Sequence, residues 1–242
     1  MQLADGTYLS FRYNDEGVRT RKSVNGVETY FYLDGTNILA QKTGNDILWF
    51  NYDANGTRIS ITMPNGAVYY YAYNAQGDVI GLYSVNQYGY FVPQVYYTYD
   101  AWGKVLSISG NMADTLGQQN PFRYRGYYYD SETQFYYLNS RYYDPEVGRF
   151  INSDNVVAEI GNSALGYNTF IYCFNNPVVI FDSNEAAPQG FKNTNFPAGY
   201  SFGSRMLYVP NQKDGLAMAR YKKLKNGFLD LFGINSKSLN VK

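Results

Sequence analysis

Hydrophobic and polar positions alternate in short runs along this chain instead of recurring at helical spacing. In Val95-Tyr96-Tyr97-Thr98-Tyr99, for example, Val95, Tyr97 and Tyr99 fall on one face of a strand because successive side chains point to opposite sides. Such runs end in a recurring polar box. Tyr13-Asn14-Asp15-Glu16-Gly17 is echoed by Tyr52-Asp53-Ala54-Asn55-Gly56, Tyr73-Asn74-Ala75-Gln76-Gly77 and Tyr99-Asp100-Ala101-Trp102-Gly103, with a shortened relative at Tyr32-Leu33-Asp34-Gly35. The anchor tyrosines are 19, 20, 21 and 26 residues apart, a period near twenty that marks a repeat architecture. Within one period the Asp or Asn starts a turn by bonding its own backbone, and the Gly takes the positive-φ position that closes a short hairpin loop with a bulge. The run that follows, such as Val79-Ile80-Gly81-Leu82, is the return strand. One hairpin cannot bury its own face, so successive hairpins are expected to extend a single sheet and lean on their neighbours.

After Gly103 the pattern tightens. Residues 120–150 pack aromatics and arginines more densely and read as two more strand-turn units, in which Arg123, Arg125, Arg141 and Arg149 lock neighbouring turns by stacking and carboxylate pairing. Asp144-Pro145-Glu146-Val147-Gly148 is ordinary turn chemistry. The tyrosines read as strand residues packing on both faces of a sheet, with a carbohydrate- or nucleic-acid-stacking surface as the alternative.

Composition narrows the chemistry. None of the 242 residues is histidine, which excludes a Ser-His-Asp or Cys-His nucleophile, a His-containing zinc site and an imidazole acid or base. Cys173 is the single cysteine, so no intrachain disulfide or thiolate cluster forms, and no cofactor or metal is expected. The carboxylates are left as the main candidates for catalysis. No apolar run approaches the ~20 residues of a membrane helix, and residues 1–20 lack a signal-peptide pattern. The net charge of zero divides unevenly: residues 1–185 hold 11 basic and 18 acidic side chains, and residues 186–242 hold 9 and 2. The acidic part repels phosphate, which makes nucleic acid an unlikely partner there.

The string RYRGYYYDSETQFYYLNSRYYDPEVGRFINSD at 123–154 resembles the core signature of RHS-repeat (YD-repeat) proteins, and the upstream Tyr-Asp-x-x-Gly boxes resemble the repeats that precede it. The string YNTFIYCFNNPVVIFD at 167–182 is similar to the segment that closes that core. The resemblance covers about residues 7–185. It implies a mainly β protein, its hairpin repeats forming a curved, open part of a β-shell, followed by a small basic tail. The units it implies are repeats at 1–119, the repeat-associated core at 120–185 and a variable C-terminal region at 186–242. In such proteins the repeats spiral into a cage, the variable region is a toxin held inside, and the core of several members cleaves its own chain with aspartates.

Carried over by motif, the cleavage residues are Arg141, in Arg-Tyr-Tyr, Asp154, where Asn155 replaces the family's proline, and Asp182, where the closing box reads Asp182-Ser183-Asn184-Glu185 without its Pro and Gly. If Asp154 and Asp182 converge, the two carboxylates share one proton, one serving as base toward water and the other as acid toward the scissile carbonyl, with Arg141 tuning the pair. The alternative is that both are strand-end turn acids. The tail carries one expected amphipathic helix from about 214 to 232, with Ala217, Tyr221, Leu224, Phe228 and Leu231 on one face and Lys222, Lys223 and Lys225 flanking it.

The function expected from the resemblance is the C-terminal part of a bacterial polymorphic toxin or wall-associated protein, secreted or at the cell surface. Its shell would present a C-terminal payload and act as a single-turnover autoprotease near residue 185. The partners expected are upstream repeats of a longer chain, its own C-terminal region, wall glycan or a target-cell membrane, and an immunity protein. A surface carbohydrate-binding or structural module without cleavage is the alternative.

Overall fold

Each polar box of the repeat folds as the same hairpin turn. In a computed structural model, which describes residues 1–153, 170–178, 180–181 and 189–190, the side-chain oxygen of Asn14, Asp53, Asn74 or Asp100 accepts backbone N–H groups inside the turn. The glycine three residues on donates back to its carbonyl. These turns join β1 (Leu9–Tyr13) to β2 (Arg19–Val24), β5 (Asp46–Tyr52) to β6 (Arg58–Thr62), β7 (Val68–Tyr73) to β8 (Val79–Val85) and β9 (Phe91–Tyr99) to β10 (Val105–Ser109). The shortened box turns β3 (Val27–Asp34) into β4 (Asn37–Thr43). All ten strands form one antiparallel sheet in sequence order, open at β1 and β10.

A register shift follows every one of these turns. Tyr52 pairs with Arg58 and Asn51 with Ser60, so Ile59 is the extra residue of a bulge; Thr20, Leu39, Ile80 and Leu106 occupy the same place in the other return strands. A bulge increases the local twist; in the shortened box Ile38, just before the bulge, pairs with Leu33, and in the four full boxes the residue before the bulge pairs with the anchor tyrosine and so shares its face. That face carries Phe31, Ile38, Leu48, Phe50, Ile61, Tyr71, Val79, Leu82, Val95 and Tyr97, all buried.

What buries them is a second sheet. After a π-type turn at Ala113–Gly117 and a 3-10 turn at Tyr124–Gly126, strands β11 (Tyr128–Asp130), β12 (Phe135–Leu138), β13 (Arg141–Asp144) and β14 (Arg149–Phe150) form a four-stranded antiparallel sheet. Its residues Tyr128 and Tyr137, with Phe122, join the core of the first sheet, and Phe122 meets Phe50 edge to face at 4.8 Å between centroids. Residues 120–150 therefore form the two expected hairpins, packed across the first sheet instead of extending it. Segment 170–178 returns alongside β14 through a bridge between Arg149 and Ile171, and β15 (Ile180–Phe181) pairs with β16 (Gln189–Gly190). The fold is mainly β, with an open sheet. The amphipathic helix expected at 214–232 lies outside the described residues.

Candidate functional site

The tyrosine hydroxyls carry a function that alternation alone does not reveal. Tyr52 Oη donates to the Ile38 carbonyl at 2.9 Å, Tyr73 Oη to Arg58 at 2.7 Å and Tyr99 Oη to Val79 at 2.7 Å. In every case the acceptor is the residue just before a bulge, in the return strand of the preceding repeat. These three anchor tyrosines thus each latch one hairpin to the one before it, using a carbonyl beside the bulge.

The same chemistry fastens the second sheet to the last box of the first. Tyr124, Tyr143 and Tyr136 donate to the consecutive carbonyls of Ala101, Trp102 and Gly103 at 3.1, 2.7 and 2.8 Å. Gly103 has φ +90°, and a β-carbon there would stand 2.4 Å from the Tyr124 ring, so both the backbone angle and the close approach demand glycine.

At the other end of the interface lies a buried ion cluster. Arg19 Nη1 meets Asp130 Oδ2 at 2.6 Å, while Lys22 Nζ reaches Asp130 Oδ1 at 3.0 Å and Glu132 Oε2 at 2.9 Å. The Arg19 guanidinium also sits 4.2 Å from the Tyr137 ring centroid and 4.9 Å from that of Tyr128. Burial alone would pull the pKa of Lys22 down, but Tyr128, Asp130 and Glu132 outweigh it and hold it above the ordinary lysine range. Sequence reasoning passed over Arg19, Lys22 and Asp130. The readable signal was a basic residue directly after a turn box, where a repeat otherwise begins its return strand.

Of the three residues proposed for cleavage, Arg141 is described and Asp154 and Asp182 lie outside the described residues. Arg141 opens β13, is buried, and stacks its guanidinium 3.7 Å from the Phe150 ring centroid. Asn152 brackets it: the Asn152 side chain accepts from the Tyr142 N–H at 2.9 Å and donates to the Ser140 carbonyl at 3.2 Å. Tyr172 packs on Tyr143 at 4.0 Å between centroids, so segment 170–178 is seated against the same sheet. The other arginines divide as follows: Arg123 stacks on Tyr129 at 4.2 Å, Arg125 approaches Asp78 at 3.7 Å and donates to the Gln76 and Pro177 carbonyls, and Arg149 is exposed. Asp144 caps its turn by accepting from the Glu146 and Val147 N–H groups. Among the described residues no group of His, Cys, Asp and Glu could hold a metal ion, and no helix is long and apolar enough to cross a membrane.

No protein-family model matches the chain. Its sequence is 36% identical over 182 residues to the tRNA3(Ser)-specific nuclease WapA of Bacillus spizizenii, a match covering 74% of this chain and 7% of that protein. It is 32% identical over 120 residues to the double-stranded DNA deaminase toxin A of Burkholderia cenocepacia, covering 49% of this chain and 8% of that one. The chain therefore spans less than a tenth of the length of either relative. Among solved structures, TcdB2-TccC3-TEV superposes with a TM-score of 0.54 at 19% identity, over 75% of this chain and 9% of that one. The described sheets have the fold of that part of the structure, and the sequence relatives include nuclease and deaminase toxins.

Proposed function

We propose that this chain is the C-terminal part of an RHS-repeat polymorphic toxin or wall-associated protein, exported to the cell surface or beyond. Residues 1–119 act as the last repeats of a β-shell, 120–185 as the core that closes it, and 186–242 as a basic payload held by an acidic wall. The observation that carries this reading is the open ten-stranded sheet capped on one face by a second sheet, a fold shared with part of TcdB2-TccC3-TEV. A free edge at β1 is a template for further strands, which suits upstream repeats as a partner. An immunity protein and a target-cell membrane follow as partners only if the payload is toxic.

Self-cleavage near residue 185 belongs to the same proposal. Arg141 is buried beside Asn152, and the chain needs only two more residues, roughly 7 Å when extended, to reach Asp154. A carboxylate brought to that guanidinium would be held ionised, ready to act as base while Asp182 supplies the proton. The test is intact-mass measurement of the full recombinant chain and of Asp154→Asn. The reading expects a break near residue 185 in wild type and none in the variant; an unbroken chain in both removes the autoprotease and leaves the shell.

A second reading, a module that binds wall glycan, draws on the face opposite the core. Tyr30, Trp49, Tyr70, Tyr83 and Tyr96 alternate with core residues and stay half-buried or exposed there. Aromatic rings on a flat sheet are platforms for sugar faces. Pull-down by insoluble wall glycan that survives high salt and is lost in Trp49→Ala would support it.

A further inference from the structure

Arg19 and Arg58 hold the same place in two repeats. Each opens a return strand one residue before the bulge and is turned toward the second sheet. Arg19 is met there by Asp130, whereas Arg58 has no carboxylate within ion-pair reach among the described residues. Its Nε donates to Tyr52 Oη at 3.2 Å, its Nη1 donates to the Gly126 carbonyl at 3.2 Å, and the guanidinium stacks 3.1 Å from the Phe122 ring centroid. The groups that meet its side chain, Tyr52, Tyr73, the Gly126 carbonyl and Phe122, are all uncharged. A half-buried cation left with donor capacity and no counter-charge is an open position for an anion.

Arg58 lies in the wall of a cleft of about 570 Å³ between the hairpin turns of the first sheet and the residues around Gly126 and Asn139 of the second. Among the described residues two arginines and no Asp or Glu line it, although residues 1–185 carry 18 acidic side chains against 11 basic. Arg125, the other arginine, is already occupied by Asp78 and two carbonyls, so the unspent charge is that of Arg58. Aromatic lining comes from the half-buried Tyr52 and Tyr73 and from the buried Phe122 and Tyr128, and hydroxyl and amide groups from Thr36 and Asn139. Aromatic lining with polar groups and one cation matches a sugar ring, with its C–H faces and hydroxyl edge, that also bears a carboxylate. The volume lies within the usual range of small-molecule sites. A polyphosphate is disfavoured by the acidic surroundings. An added peptide strand is disfavoured because β4 to β7, which border the cleft, have partners on both sides, and Tyr128 of the edge strand β11 is already bridged to Phe122.

We propose that this cleft binds a uronate residue of an acidic glycan, with Arg58 taking the carboxylate. The proposal depends neither on self-cleavage nor on the aromatic face opposite the core; it goes beyond the glycan reading above by placing a different site, between the two sheets, for one sugar class. The test is calorimetric titration of the full chain with digalacturonate, with neutral digalactose and with inorganic phosphate. Digalacturonate is expected to bind, and Arg58→Gln to weaken it about tenfold or more, the loss of one charge-assisted pair. Thr36→Trp, an exposed position at the mouth, is expected to weaken it while leaving every Arg58 hydrogen bond and the thermal melt in place. Absence of digalacturonate binding, binding that ignores both variants, or phosphate binding of equal strength overturns the proposal. Digalactose binding that Trp49→Ala abolishes and Arg58→Gln leaves intact would also overturn it while preserving the broader glycan reading.

Discussion

The two sheets are built from the same tyrosine-rich material but held together over different distances. In the ten-stranded sheet each strand pairs with its sequence neighbour, and the latches from Tyr52, Tyr73 and Tyr99 span 14, 15 and 20 residues. The second sheet docks through contacts such as Arg19 to Asp130 and Tyr13 Oη to Tyr142 Oη, which span 111 and 129 residues. Local latches impose little loop-closure entropy and recur with the repeat, so any one of them is replaceable; the docking contacts close long loops and occur once each. The first sheet is therefore modular. Its attachment to the second is concentrated in a few side chains.

The sharpest way to break that contrast is at the ion cluster. Asp130→Ala leaves Arg19 and Lys22 buried without their shared carboxylate, and should cost about 3–5 kcal/mol in urea unfolding. A loss near zero would mean that the docking is not concentrated there. Next comes the three-tyrosine clamp: Gly103→Ala drives a β-carbon into the Tyr124 ring and strains a left-handed backbone, for an expected loss of about 2–4 kcal/mol. Spread across both sheets is a pH effect. Burial pushes the hydroxyls of Tyr97 in the first sheet and Tyr128 in the second up to about 12, from an ordinary value near 10. Between those values the unfolded chain releases protons that the folded chain keeps. Stability present below about pH 10 should therefore fall as pH rises toward 12, by about 1.4 kcal/mol per unit for each group. Thermal melts against pH, followed by tyrosinate absorbance, check the sign, and a less steep loss in Tyr97→Phe and in Tyr128→Phe would assign it to each sheet. The smallest effect belongs to the local latches. Tyr73→Phe deletes one hydroxyl and should cost about 1 kcal/mol, less than Tyr136→Phe, whose fully buried hydroxyl serves the clamp. Equal losses would erase the distinction between latch and clamp.

Much of the first sheet was legible in the chain because its causes are local. Tyr52-Asp53-Ala54-Asn55-Gly56 needs only its own atoms to form a turn, and the alternation of Val95, Tyr97 and Tyr99 needs only the pleat to choose a face. The opposite-end turns at Asn25-Gly26 and Asn65-Gly66 use related chemistry without a tyrosine anchor, so the tyrosine period does not mark them. Of the residues proposed for cleavage, Arg141 was singled out by a motif resemblance, and its burial beside Phe150 and Asn152 emerged only in the fold. The pairing of Asp154 with Asp182 is a question of convergence between two loops, to which spacing in the chain offers no guide.

By itself, the sequence determined the hairpins, their period and the residues that close each turn, since turn chemistry and strand alternation act within a few residues. It also removed imidazole and disulfide chemistry before any fold was considered. Tertiary structure alone decided that residues 120–150 cross the first sheet instead of extending it, that tyrosine hydroxyls bind the carbonyls beside three of the bulges, and that Arg19 meets Asp130 while Arg58 in the same repeat position meets no carboxylate among the described residues. Those outcomes depend on which faces and charges are brought together across more than a hundred residues, and a repeat that writes the same local code into every unit carries no record of which copy will face a partner.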